Sequence, residues 1–567
     1  MIAQSLACIL LVLGVAFGLA RPVADRLGLR PIESLAAGAG LSLVAAWAIA
    51  FAVFASGAPL AAYWAIPVLA AVGLAVGRRG AAAILADGAA RDLAAGQLLA
   101  SGWCVAWLSF VRVHSGGAWI GDSFEHWERA LYFLRAWPGG VFIGQYILPA
   151  RPPLANNLVA AFMQMTGTGY ANFQVATAAL CSLAFLPAGL LAWRFGGRAA
   201  VRLCAVAFLV SPLFVQNATY PWTKLEAAFF VLSGIYFFAR LRDGGPAAAA
   251  SGILCAALLG GAVVAHYSAG PYVVVLAAAW VAMGFRRGWD RPFVALTAAA
   301  IGAGALVLAP WFAWSIAKFG AAATFTSNTT VDMAAKHPGN PLVTMALNIR
   351  DTLVPPQVRG FKGGLFRQQS SWGSLRDNCF LLYQLNPVLA LGSAGCLVAA
   401  AGAWREARAA RAADRLFWGS LILGAFVISF AAYGDRDHYG IGHICLQPLV
   451  LLGLAFIASR WERLSLGWRV LLVTGWCADF ILGIALQFAV EDYALDRWLT
   501  PGRSLVDVYR SYTLASQENL REKIIAHVSF FADNLTIRPA LVLILLGAIL
   551  VLAVARSGRT PDGAGPP

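Results

Sequence analysis

Charge is scarce in this chain, since only 12% of its 567 residues are Asp, Glu, Lys or Arg while 60% are hydrophobic. A soluble domain usually carries about a quarter of charged residues. The shortage therefore excludes an ordinary soluble protein. Acidic residues are the scarcer kind, 27 against 42 basic ones, which leaves a net charge of +15. In a membrane protein, surplus arginine belongs to cytoplasmic loops, so we predict no nucleic-acid partner.

The sequence also lacks the pattern of a signal peptide and the paired spacing of a cysteine framework. The first apolar run has no basic residue before it, so it is predicted to be a retained span and not a signal peptide. The nine cysteines show no paired spacing, and all except Cys379 lie inside apolar runs. This excludes a disulfide framework and a cysteine metal motif.

Long apolar runs are abundant instead. They measure roughly 17 to 23 residues, and each is long enough to cross a bilayer as a helix. We therefore predict an all-α polytopic membrane protein with about fifteen transmembrane helices. The predicted spans are 2–20, 34–55, 60–77, 97–113, 172–193, 199–216, 223–240, 248–266, 269–285, 292–315, 385–403, 415–433, 441–458, 468–489 and 539–555.

The arginines assign these spans a direction. If residues 152–168 form a helix at the outer surface that does not cross, every short loop on one side is basic. The basic loops are 21–30, 78–91, 194–202, 240–242, 286–291, 405–415, 460–469 and 556–559. No basic residue occurs in the short loops of the other side, around 56–59, 217–222 and 267–268. Basic loops stay in the cytoplasm, so we predict a bacterial inner-membrane protein with a periplasmic N-terminus and a cytoplasmic C-terminus.

This topology divides the chain into seven segments and places its three large loops in the periplasm, where no nucleotide is supplied. An enzyme there must use an activated lipid or an exported substrate. The segments are a four-span N-terminal extension (1–113), a first periplasmic loop with surface helices (114–171), core spans (172–315), a second periplasmic loop (316–384), C-terminal spans (385–489), a third periplasmic loop (490–538), and the last span with a cytoplasmic tail (539–567).

The first of these loops contains the stretch GDSFEHWERALYFLRAWPGG, residues 121–140. Asp122 and Glu125 stand three residues apart before an apolar-periodic segment, which is the capping-box pattern of a helix N-terminus. A carboxylate near a membrane surface is also a candidate general base. The two interpretations are compatible, because a capped helix fixes the direction in which the Asp122 carboxylate points. Glu125 is a second base, a sugar ligand or a cap partner.

The order of motifs after this stretch resembles the GT-C membrane glycosyltransferases, in particular the protein O-mannosyltransferase, aminoarabinose transferase and rhizobial galacturonosyltransferase group. An Arg-Pro-Pro-Leu element begins at Arg151, and Ser-Pro-Leu-Phe ends a later span at residues 211–214. The resemblance is clearest over residues 115–315. It implies a GT-C-like bundle with juxtamembrane helices in the first periplasmic loop, which makes 114–171 the catalytic loop. The three extra N-terminal spans and the three-residue spacing of the acids depart from the family pattern.

The resemblance implies transfer of a sugar from a polyprenyl phosphate to a hydroxyl of a lipid, glycan or protein, with Asp122 as the base. It further implies inversion at the sugar, no required cofactor or divalent metal, and membrane lipids among the partners. Cations must stabilise the leaving phosphate. Candidate substrate- or phosphate-binding residues are Arg151, Lys224, Glu226 and His266. For Lys224 the alternative is contact with lipid headgroups, and for a lone histidine it is a structural role.

A further candidate segment is GDRDHYG, in a short outer turn. Asp435 and Asp437 with the nearby histidine have the residue types of a divalent metal site. The alternatives are a solvated turn, or contact of Arg436 or His438 with the donor, which we favour over metal. Asp479, in the middle of a span, is either a functional charge or a hydrogen-bonded structural residue.

Two other functions compete with transfer. A lipid or glycan transporter or flippase would show repeats and a polar site near the middle of the membrane. An O-antigen polymerase or ligase would have its main outer loop late in the chain. The polar residues here lie on one side of the membrane and the acidic motif is early. These observations favour the glycosyltransferase.

Overall fold

The structure is a computed structural model in which almost every described element is a helix. It describes residues 2–108, 120–137, 139–143, 146–328, 339–355, 358, 382–384, 386, 389, 395–409, 411–434, 440–442 and 444–486. The third periplasmic loop and the last span predicted from the sequence lie outside this set. The only two strands of the described part form one short antiparallel hairpin, β1 (Val141–Phe142) with β2 (Tyr146–Ile147).

The helices are numbered in chain order. The first ten are α1 (Ile2–Gly18), α2 (Arg21–Ala24), α3 (Pro31–Ala55), α4 (Ala65–Val76), α5 (Arg78–Ala86), α6 (Gly88–Leu108), α7 (Ile120–Phe133), α8 (Leu154–Thr166), α9 (Tyr170–Ser182) and α10 (Phe185–Val210). The next ten are α11 (Pro212–Thr219), α12 (Lys224–Asp243), α13 (Ala248–Ala265), α14 (Gly270–Arg287), α15 (Arg291–Thr326), α16 (Pro341–Leu353), α17 (Gly395–Ala409), α18 (Ala412–Ala432), α19 (Gln447–Arg460) and α20 (Leu466–Phe480).

Several long helices begin with the same local chemistry. Proline stands in the first turn of α3 and α15, where its missing N–H leaves no hydrogen bond unmade. In α15 the Asp290 side chain also accepts a hydrogen bond from the Phe293 N–H at 2.8 Å. In α3 the Glu33 carboxylate accepts one from the Arg30 N–H at 2.9 Å. Polar caps therefore mark the points where these apolar helices start.

The helices confirm the all-α polytopic class, whereas the count of fifteen spans is not confirmed. Among the described residues eight helices are long and apolar enough to cross a membrane, or nine if a bent pair of helices over 60–86 is one span. The predicted span 172–193 and residues 199–210 of the next one fall in one stretch, Tyr170–Val210, that meets these criteria as a whole. The helices α17 and α19 have only 15 and 14 residues.

Several predicted boundaries are wrong. The span predicted at 97–113 begins at Gly88, and the helix predicted to end at 403 continues to Ala409. The span predicted to end at 315 continues as α15 to Thr326, with a break at Gly320, and α16 lies inside the predicted second loop. Hydropathy stops at the first polar residues, but a helix continues as long as its backbone hydrogen bonds are made.

The segment predicted to lie at the outer surface forms α8. Its 13 residues measure about 20 Å at 1.5 Å per residue, too short for a hydrocarbon core of about 30 Å. It is more enclosed than a surface helix, because residues 154–163 are all buried. The neighbours that enclose it include α3, α7 and α9.

Side-chain contacts join loops that the arginine pattern places on one side. Three ion pairs connect basic loops: Arg198–Asp92 at 2.6 Å, Arg194–Asp243 at 2.6 Å and Arg242–Asp414 at 3.2 Å. Three hydrogen bonds connect loops of the other set: Arg135 to the Ala58 carbonyl at 2.8 Å, Trp222 to Asp122 at 3.0 Å and Tyr267 to the Pro149 carbonyl at 3.2 Å. The first loop with its acids is thereby held against the ends of α12 and α13.

Gly197 makes the turn between the two halves of α10. Its φ of 72° and ψ of −161° lie in a region that essentially only glycine occupies. We expect Gly197→Ala to destabilise the fold by about 1–3 kcal/mol, which is the usual magnitude of such backbone strain. The measurement is the melting temperature, Tm, of the detergent-solubilised protein.

The matched control for this variant is Gly419→Ala, in the middle of the exposed face of α18. An added Cβ there meets no atom within 4 Å, and alanine is the better helix former by about 1 kcal/mol. Its Tm should not fall. Equal Tm values for the two variants would contradict the assignment of Gly197 to a strained turn.

Candidate active site

The acidic motif lies on α7, a short helix of the first loop. This helix begins at Ile120, so Asp122 stands inside the first turn and the prediction that it is the N-cap residue is wrong. Glu125 lies almost one turn further on, and its side chain is fully buried. Phe124 of the same helix and Leu134 just after its end are buried as well, as the apolar periodicity predicts. Both acids therefore lie on a helix that packs against the rest of the protein.

Glu125 is held by two arginines. Arg129, one turn along α7, places Nε and one terminal nitrogen each 2.8 Å from its Oε1. Arg151 places its Nε 3.4 Å from Oε1 and a terminal nitrogen 3.5 Å from Oε2. Burial raises the pKa of Glu125, but the charges of Arg151 and Arg129 outweigh burial and hold the pKa at about 2. Glu125 is thus an ionised anchor for the two arginines near neutral pH, and its roles as second base or sugar ligand stay predictions.

Arg129 extends this anchor to the chain that follows. It donates to the Leu148 carbonyl at 2.8 Å and to the Ile147 carbonyl at 3.1 Å, and its guanidinium lies over the Phe142 ring. Glu128 accepts a hydrogen bond from the Ile143 N–H at 2.7 Å. These contacts fix the β-hairpin against α7, and the hairpin leads directly into Arg151.

His126 takes no charge at this site. Its Nδ1 lies 3.1 Å from the Asn156 side-chain oxygen on α8, and the ring is buried. Burial and the charges of Arg151 and Arg129 lower the pKa of His126 to about 3, against the opposing effect of Glu125. A neutral imidazole therefore joins α7 to α8.

Asp122 is placed differently from Glu125. Its side chain is 20% exposed, its Oδ1 lies 3.9 Å from Arg151, and its Oδ2 accepts a hydrogen bond from the Trp222 indole N–H at 3.0 Å. Burial raises the pKa of Asp122, and Arg151 and Lys224 only partly oppose it. The Asp122 carboxyl is therefore the acid of the motif with the higher proton affinity and the greater exposure.

Lys224 reaches the same place from the N-terminus of α12. Its ammonium lies 3.5 Å from the centre of the Trp222 ring, and its charge acts on Asp122. His266, at the C-terminal end of α13, lies within reach of the charges of Lys224 and Arg151, and its Nδ1 is 2.9 Å from the Ser268 hydroxyl. Four residues selected from the sequence, Asp122, Arg151, Lys224 and His266, are thus brought together from distant segments.

Glu226 faces a different neighbour. It is buried on α12, next to Cys181 of α9, and among the described residues neither of its carboxyl oxygens has a hydrogen-bond partner. Its predicted contact with substrate stays a prediction. Asp479 accepts a hydrogen bond from the Tyr383 hydroxyl at 2.9 Å, which favours the structural interpretation of this residue.

The candidates of the GDRDHYG turn, namely Asp435, Arg436, Asp437 and His438, lie outside the described residues. Within the part of the chain that is described, no group of three or more His, Cys, Asp or Glu side chains is arranged to hold a metal ion.

Three residues of the site were not among the candidates from the sequence. Arg129 follows Glu125 by four positions, and this spacing is a signal for an ion pair along a helix. Trp222 gives no such signal, because it lies 100 residues from Asp122. Tyr146 likewise gives no signal in the sequence. Its ring lies under the Arg151 guanidinium at 5.6 Å.

No protein-family model matches this chain, and no curated protein matches it. Two solved structures are similar, both of ArnT from Cupriavidus metallidurans, an aminoarabinose transferase. The structure bound to undecaprenyl phosphate has a TM-score of 0.45 and 16% identity, covering 82% of this chain and 77% of that chain. The apo structure has a TM-score of 0.42 and 16% identity, covering 81% and 78%. Similarity at this level carries no argument about substrate or mechanism.

Glu125 and Arg129 are both buried, so removing one charge leaves the other uncompensated. We expect Glu125→Gln to lower the free energy of unfolding by about 3–5 kcal/mol. A fall in Tm measures the effect. The control is Asp243→Asn, which breaks the more exposed pair with Arg194 and should change stability by about 0–1 kcal/mol.

The effect of Glu125→Gln on stability should depend on pH. The pKa of Glu125 is about 2 in the folded protein, against an ordinary value of 4.5. The stability that its charge contributes is therefore present above about pH 4.5 and is lost as the pH falls towards about 2. The Tm difference between wild type and Glu125→Gln should shrink over this range, and a constant difference would contradict the ionised anchor.

Proposed function

We propose that this protein is an integral-membrane glycosyltransferase. It moves a sugar from a polyprenyl-phosphate donor to a hydroxyl of a lipid, glycan or protein acceptor, with Asp122 as general base. One observation carries the proposal: a partly exposed carboxylate with a raised pKa lies beside two cations, Arg151 just before α8 and Lys224 at the start of α12. The motif order described above, which resembles GT-C enzymes, supports the same reaction.

The base role follows from the contrast between the two acids. A general base works best when its pKa lies near the operating pH. Burial moves Asp122 in that direction, whereas two arginines hold Glu125 well below it. A carboxylate accepts about four hydrogen bonds, so the contacts with Trp222 and Arg151 do not saturate Asp122. Glu125 then serves the reaction indirectly, by fixing Arg151.

The cations serve the leaving group. As the acceptor hydroxyl attacks the anomeric carbon, its proton passes to Asp122 and the bond from that carbon to the phosphate oxygen breaks. The phosphate leaves with the bonding electrons, and preorganised cations stabilise this developing charge. Arg151 suits two parallel hydrogen bonds to phosphate oxygens, while Lys224 acts as a point charge. A single displacement of this kind inverts the configuration of the sugar and requires no metal.

The site is proposed to face the periplasm of a bacterial inner membrane. The arginine pattern supports this side, and a lipid-linked donor fits it because nucleotide sugars are not supplied there. His266 is proposed as a further substrate contact because it shares the environment of Lys224 and Arg151. Arg436 and His438 are proposed donor contacts from the sequence alone.

Asp122→Asn tests the base. The variant should fold and insert into the membrane but lose at least about 100-fold of the rate of sugar transfer, because the amide accepts no proton and a general base contributes about 10²–10⁴-fold. Transfer from undecaprenyl-phosphate sugars is measured in proteoliposomes. The matched control is Asp243→Asn, at the far end of α12, which should transfer at the wild-type rate. Full activity of Asp122→Asn would contradict the base assignment.

Lys224→Met tests the leaving-group contact separately. It keeps the length of the side chain and removes its charge, so the Kd for undecaprenyl phosphate should rise by about tenfold or more, the factor that corresponds to about 1.4 kcal/mol. Asp122→Asn should bind this lipid at least as well as wild type, since it removes a negative charge near the phosphate. Unchanged binding by Lys224→Met would contradict the phosphate role.

A further inference from the structure

Trp222 lies between the proposed general base, Asp122, and the proposed phosphate-binding cation, Lys224. On one edge, its indole N–H donates to the Asp122 carboxylate at 3.0 Å. On one face, its ring receives the Lys224 ammonium at 3.5 Å from the ring centre. One side chain therefore contacts both the proposed base and the proposed phosphate-binding cation.

The indole is held firmly enough to act as a support. Trp222 is only 1% exposed, and its ring packs against Tyr220 with centroids 4.5 Å apart. Its backbone is fixed as well, because its N–H donates to the Tyr220 carbonyl at 2.7 Å and its carbonyl accepts from the Cys181 thiol at 3.2 Å. A residue anchored on several sides defines the positions of the groups that it touches.

We infer that Trp222 is a positioning residue for sugar transfer, whose N–H orients the Asp122 carboxylate while its ring face places the Lys224 ammonium. This role rests on the function proposed above. Tryptophan suits both tasks because it combines a donor at its edge with the aromatic face that attracts cations most strongly. Phenylalanine keeps a ring for Lys224 but loses the donor, and leucine loses both.

The N–H bond has a measurable electrostatic consequence. Donation to the ionised carboxylate stabilises the charged form of Asp122 and so lowers its pKa, against the upward effect of burial. Other groups act on the same carboxyl from neighbouring elements, and Trp222→Phe leaves them unchanged because it keeps a ring for Lys224. These groups are Glu125 of α7, Tyr146 of β2, Arg151 after the hairpin and Lys224 of α12.

The first measurement follows protonation of Asp122 directly. The infrared carbonyl band of its protonated carboxyl is obtained as the difference between each protein and the same protein carrying Asp122→Asn, over a pH series. In Trp222→Phe the midpoint should move up by about one pH unit, since a hydrogen bond to a charged group is worth about one pKa unit or more. Trp103→Phe is the matched control, because it removes a buried indole N–H that donates to the Leu209 carbonyl at 2.9 Å.

The second measurement is the Kd for undecaprenyl phosphate. Trp222→Leu removes the ring beneath Lys224 and should raise this Kd about tenfold, whereas Trp222→Phe keeps a ring and should stay within about threefold of wild type. Both variants are compared at equal folded fraction, judged by Tm. If Trp222→Leu does not fold, Trp222→Met takes its place, because it also lacks a ring and keeps a long apolar side chain, and it should raise the Kd by the same factor.

The results separate this inference from the proposed function. A wild-type protein that transfers no sugar contradicts the proposed function, while both readouts of Trp222 remain measurable. An unchanged Asp122 midpoint in Trp222→Phe overturns the orienting role of the N–H. A wild-type Kd in folded Trp222→Leu overturns the placement of Lys224 by the ring.

Discussion

The rest of this site depends on one buried cluster of charges, in which the Glu125 carboxylate is shared by Arg129 and Arg151. A buried carboxylate without partners would lose its charge, and a buried guanidinium without one would be costly. The two guanidinium groups lie 2.8 to 3.5 Å from the Glu125 carboxylate, and the Asp122 carboxylate, 3.9 Å from Arg151, supplies the second negative charge. Arg129 also binds backbone carbonyls just before Arg151. The cluster therefore determines where the Arg151 guanidinium lies relative to Asp122.

This arrangement gives the two acids of the motif different tasks. The charge of Glu125 is paired with two buried arginines, whereas Asp122 has a raised pKa and a partly exposed side chain. The difference arises from their neighbours, since both belong to one turn of one helix. The same logic extends across the bundle, where Trp222 connects Asp122 to Lys224 and the end of α13 brings His266 close. The helix bundle thus supports a polar site that is assembled from loops of the set opposite to the basic loops.

The sequence carried enough information for the all-α membrane class and for four candidate residues that the structure brings together. Long apolar runs predict the helices, and the arginine pattern groups the loops as the ion pairs Arg198–Asp92 and Arg194–Asp243 do. The acidic motif and Lys224 stand out because charge is rare in this chain. The count of fifteen spans is not confirmed. The turn at Gly197 lies between the predicted spans 172–193 and 199–216, inside a stretch that is apolar as a whole.

What the sequence could not supply is the division of roles, because this depends on tertiary contacts such as the bond from Trp222 to Asp122. The most direct test of the site is a density map of the protein with undecaprenyl phosphate bound. The phosphate should lie within hydrogen-bond distance of both Arg151 and Lys224, with the Asp122 carboxylate facing the side from which an acceptor would attack. A phosphate bound away from both cations, or an Asp122 carboxylate turned away from it, would contradict the site as described.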